Sequence, residues 1–108
     1  RIQIEIAVGY EQDIEKVRQI LVDTVSQVEG VITYQPVEAL VVSMGEYAMT
    51  FRVRWWIQSY VDTRRMFDRV YTAIRGTLDE AGIESPTGIY DINILHLPGD
   101  KNDGPQND

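Results

Sequence analysis

Few residues in this chain have the type and spacing that chemistry requires, and each set has a plainer reading. The single histidine, His96, has no second histidine and no cysteine to join it. A zinc site needs three or four such ligands, so His96 reads as a solvent-facing residue of a terminal strand. Asp91, Asp100 and Asp103 are oxygen ligands of the kind calcium takes, but their spacing matches no calcium loop. Ser26, Ser43, Ser59 and Ser85 have no histidine base except His96, and none lies in a Gly-x-Ser-x-Gly turn. The Gly9–Asp13 stretch precedes a helix, where backbone N–H groups can bind phosphate. It carries Glu11 and Asp13, so its charge has the wrong sign and capping is the better reading. Glu11/Asp13 and Asp79/Glu80 are loop and helix-end charges, with no enclosed cleft to split their acidities for acid–base work. No catalytic, cofactor-binding or metal-ligating residue is assigned.

One constellation remains. Arg52, Arg54 and Trp56 alternate along a strand with Phe51, Val53 and Trp55, which puts a basic, aromatic set on one sheet face. Single-stranded RNA readers use such faces, but their first strand adds a further aromatic. Here it offers Gln3, Glu5 and Ala7. Seventeen acidic against ten basic side chains leave a formal charge of −7, which repels phosphate at long range. That balance argues against nucleic acid and anionic lipid as partners. Trp56, with Val41 and Val37, then reads as a contact surface for another domain or subunit.

The elements that position this face follow from periodicity. Ile2, Ile4, Ile6 and Val8 alternate as a half-buried strand. Asp13 is placed to cap a helix whose apolar face is Ile14, Val17, Leu21, Val25 and Val28, with Gly30 as its stop. Val37–Met44 and Ala48–Ile57 predict a hairpin turning at Gly45-Glu46-Tyr47. Asp62 or Thr63 caps a second helix marked by Phe67, Val70, Ile74 and Leu78. Gly82 ends it, and Ile83 folds back over the last turn. Gly76, inside that helix, weakens it by about 1 kcal/mol against alanine and suggests close packing. Tyr90, Ile92 and Ile94 alternate in a last strand running to about Leu97. From Pro98 the composition is Gly, Asp, Asn, Gln and Pro, which predicts a disordered acidic tail over 98–108.

The order β-α-β-β-α-β predicts an α+β, ferredoxin-like sandwich over residues 1–97, with two helices on one face of a mostly antiparallel sheet. Its first and third strands are neighbours, so Glu5 should pair with Arg52 or Arg54 across the open face. At 108 residues and 44% hydrophobic, the chain is one globular domain with no cysteine and no run long enough for a membrane span. It begins within an alternating strand and reads as part of a longer polypeptide.

Val8-Gly9-Tyr10, Asp13-Ile14-Glu15-Lys16-Val17, Met44-Gly45-Glu46, Phe51-Arg52-Val53-Arg54-Trp55-Trp56 and Ala81-Gly82-Ile83-Glu84-Ser85-Pro86 follow in register from Ile2 to Leu97. Together they resemble the carboxy-terminal cytoplasmic domain of the small-conductance mechanosensitive channel (MscS) family. The resemblance implies a bacterial inner-membrane channel opened by bilayer tension, which releases ions and small osmolytes on hypo-osmotic shock. It implies a homo-oligomer, seven subunits in the family, whose cytoplasmic cage this portion helps to wall. Partners would be the other copies and the upstream membrane and β domains of the same chain, with no direct membrane contact by this part.

The resemblance also implies that Tyr90, Ile92 and Ile94 pair between subunits in a small β-barrel. The residues themselves allow that or closure of the sheet within one chain. After the Gly-Ile run the family has an aromatic and a second proline, where this chain has Thr87 and Gly88. No catalytic residues or cofactors are implied. Subunit or domain contact is expected at Val41, Arg52, Arg54, Trp56, Tyr90, Ile92 and Ile94. The competing reading is a regulatory ferredoxin-like module that dimerises through its open face and binds a small ligand.

Overall fold

A computed structural model describes residues 1–92 of the chain. The elements run β1 (Ile2–Gly9), α1 (Ile14–Ser26), β2 (Glu38–Met44), β3 (Ala48–Trp55), α2 (Thr63–Ala81) and β4 (Ile89–Asp91). They form one four-stranded antiparallel sheet in the order β2-β3-β1-β4. The expected α+β order of elements is thus present, with β1 and β3 adjacent. The expected segment 93–97 of the last strand, the tail 98–108 and the residues Ile94, His96, Asp100 and Asp103 lie outside the described residues.

Alternation decides which face meets the helices. Ile2, Ile4, Ile6 and Val8 of β1 and Met49, Phe51, Val53 and Trp55 of β3 are buried. They form one core with Val17, Leu21 and Val25 of α1 and Met66, Val70, Ile74 and Leu78 of α2. Each helix supplies one apolar stripe to that core, which is where most of its stability comes from. Trp55 meets Phe67 edge-to-face at 6.3 Å, and Phe67 lies 5.6 Å from the Tyr71 ring.

The helix ends show how local chemistry fixes the elements. Asp13 caps α1 by accepting from the Lys16 N–H at 2.9 Å, and Glu15 adds negative charge at the positive end of the helix. The helix stops at Ser26 rather than near Gly30, and Val28 still packs against the core from the following turn. Asp62, not Thr63, is the cap of α2, accepting from Arg65 N–H at 3.4 Å. Gly82 closes α2 with φ +72°, and the Ile83 N–H donates to the Leu78 carbonyl at 2.9 Å. Ile83 is buried as expected.

Two expectations are corrected here. A Cβ built on Gly76 meets nothing within 4 Å, so that glycine is not explained by close packing within the chain. β3 ends at Trp55, and Ile57 instead makes an isolated bridge to Val31 in the connector.

Candidate interaction face

The face of the sheet away from the helices is built by register. β1 and β3 place Glu5 opposite Arg52 and Gln3 opposite Arg54. β2 places Glu38 opposite Arg54 and Leu40 opposite Arg52, while β4 places Tyr90 opposite Glu5. One row across the sheet therefore reads Leu40, Arg52, Glu5, Tyr90. Leu40 and Tyr90 are exposed at its two ends.

The charges in the middle satisfy one another. Arg52 donates from Nε and Nη2 to the same Glu5 carboxylate oxygen, at 3.1 and 2.7 Å. Arg54 does the same to Glu38, its Nε at 3.1 Å. The expected Glu5 pairing thus forms with Arg52, and Arg54 takes a partner on β2 that strand parity alone could have supplied. Both guanidiniums carry carboxylates of their own chain.

Val41 does not belong to this face. It pairs with Phe51 and packs against the core, as does Val37. The cause is the irregularity between Val41 and Ser43, where β2 carries one residue more than its partner. Val42 is the extra residue and is exposed. Up to the bulge, Glu38 and Leu40 are the outward positions. Trp56 lies just past the end of β3, 40% exposed, and its carbonyl accepts from the Ile32 N–H at 2.8 Å. Tyr90 and Asp91 pair with Glu5 and Ile4 of the same chain. Ile92 follows directly after β4 and is half-buried.

Among the described residues one titratable group, Tyr71, is clearly shifted. Burial pushes the Tyr71 hydroxyl up to about 12, with the Asp91 charge adding to the shift, so it stays protonated at neutral pH. Among the described residues no three His, Cys, Asp or Glu side chains gather as a metal site. No helix among them is long and apolar enough to cross a membrane.

The sequence profile described as mechanosensitive ion channel MscS, C-terminal, matches residues 2–85. The chain belongs to the MscS family. An uncharacterised MscS family protein of Synechocystis is 33% identical over 95 residues, covering 88% of this chain and 32% of that protein. The closed-state crystal structure of Helicobacter pylori MscS superposes with a TM-score of 0.69 at 26% identity, over 88% of this chain and 38% of that one. This MscS domain therefore spans about a third of the length of the relatives it matches. The family is one of channels.

Proposed function

We propose that this domain is a wall segment of the cytoplasmic cage of a tension-opened MscS channel, and that its work is assembly and filtering. The channel would release ions and small osmolytes when a cell swells, as a homo-oligomer at the cytoplasmic face of a bacterial inner membrane, seven copies being expected. The observation that carries this reading is the match of 88% of the chain to H. pylori MscS, together with the profile match over residues 2–85. The internally paired charges of the open face support a surface that acts by shape and contact. Trp56, Tyr90 and Leu40 are its exposed apolar groups. The residues proposed for subunit or domain contact are accordingly Arg52, Arg54, Trp56, Tyr90 and Ile92. Ile94 stays with them on the resemblance alone.

The test is to express the complete gene in bacteria lacking their own mechanosensitive channels. Cells should survive a hypo-osmotic downshift, and membrane patches should pass current when suction is applied. Intact protein in the membrane with neither effect would overturn the proposal.

A further inference from the structure

The loop joining β3 to α2 carries large apolar side chains that the domain itself does not cover. Val61 is 93% exposed, Tyr60 57%, and Trp56 sits at the start of the same loop. Val61 lies in a turn, where glycine, proline, asparagine, aspartate or serine is the usual choice. A β-branched apolar residue held in water at a turn contradicts its local environment, and such conflicts mark sites with another purpose.

The position of the loop identifies what meets it. The backbone nitrogen of Arg1 donates to the Tyr60 hydroxyl at 2.7 Å. The loop therefore flanks the place where the polypeptide comes into β1. Beside it runs an open groove of about 680 Å³, lined by Arg1, Tyr60, Arg64, Phe67, Asp68 and Tyr71 among others. The matched profile is that of the family's C-terminal part, and relatives are about three times as long as this chain. The polypeptide that precedes Arg1 in such a protein starts beside this groove, because Arg1 itself lines it and each residue reaches only about 3.3–3.6 Å. Tethering also raises its local concentration to about the millimolar range.

We propose that Trp56, Tyr60, Val61 and the adjoining groove form the seat of the polypeptide immediately preceding this domain in the same chain. The occupant fits by chemistry as well as by place: it must cover apolar and aromatic surface and offer polar groups to Arg64 and Asp68. This rests on the reading of the chain as the C-terminal domain of a longer channel. A second copy is the less suited occupant, because it would have to displace polypeptide already tethered at this pole.

The experiment uses the complete gene product in membranes, with the photoreactive residue benzoylphenylalanine at position 61. Its exposure makes the substitution harmless to the fold. A probe at Tyr47, 82% exposed on the hairpin turn at the far end of β3, serves as control. The expected product keeps the mass of one subunit and joins position 61 to a peptide upstream of Arg1. Its yield should be at least tenfold above the control. A product of twice the mass joining position 61 to residues 1–108 of another copy would overturn the proposal. So would a link within residues 1–108 of the same copy, or a yield no greater than the control. Suction-activated current recorded from the same membranes tests the channel reading separately. Its loss with the expected cross-link intact would sink that reading alone.

Discussion

Arg52 sets two donors on a single carboxylate oxygen of Glu5, at 3.1 and 2.7 Å, from positions that are direct cross-strand partners. The pair joins the two central strands of the sheet on a face open to solvent. Partial exposure limits what it contributes. A double-mutant cycle with Glu5→Gln and Arg52→Met, read by urea unfolding, should give a coupling of about 0.5–1 kcal/mol. Raising salt to about 1 M, where the screening length is near 3 Å, should reduce that coupling. A coupling of zero at low salt would show that the pair does not hold in solution.

That pair was legible because two independent signals agreed. Period-two alternation assigned Glu5 and Arg52 to the open face, and the order of elements made their strands neighbours. Val41 was not legible, although it sits in an equally regular pattern. A bulge leaves no mark in a run such as Leu40-Val41-Val42-Ser43, where either parity puts apolar groups on both faces. The exposure of Val61 was hidden for a different reason: a loop residue's environment depends on tertiary placement, and periodicity says nothing about it.

The bulge makes its own prediction. Val41 packs against the core opposite Phe51, whereas Val42 is exposed. Val41→Ala should therefore destabilise by about 1 kcal/mol or more, through lost burial and packing. Val42→Ala should stay within about 0.5 kcal/mol of wild type. Thermal unfolding of the two variants side by side decides it, and equal losses would mean that the strand has no bulge there.

Gly76 and Gly82 belong to the same helix region and should respond with opposite signs. Nothing lies within 4 Å of a Cβ built at Gly76, so Gly76→Ala gains helix propensity without a clash. It should stabilise by about 0.5–1 kcal/mol. Gly82 holds φ +72° at the end of α2, so Gly82→Ala should cost about 1–2 kcal/mol despite equally open space. If Gly76→Ala were neutral for the isolated domain yet harmful to assembly of the complete protein, that position would be a contact.

The acidity of the domain predicts an effect on permeation if it walls a cage. Glu11, Glu46, Glu80 and Glu84 are exposed, and reversing all of them to lysine takes the formal charge of −7 past neutrality to weakly positive. Cations concentrated near an acidic wall should lose that advantage. The reversal potential under a salt gradient should move toward anion preference, and more so at low ionic strength. An unchanged reversal potential would remove charge from the filtering role.

Tyr71 predicts how the domain fails in alkali. Its hydroxyl is raised from 10.0 to about 12, first by burial and second by the charge of Asp91. The unfolded chain therefore releases this proton earlier than the folded one. Between about pH 10 and 12 the native state binds more protons, so stability falls as pH rises. Below pH 10 the contribution is fully present and flat. Tyr71→Phe cannot ionise, so its unfolding midpoint in urea should decline less than wild type over that window. Asp91→Asn removes the second cause only, and should lower the Tyr71 transition partway, as followed by phenolate absorbance near 295 nm. Burial as the larger cause requires that most of the shift survive in Asp91→Asn. A return to the ordinary value there would instead make the charge the dominant cause.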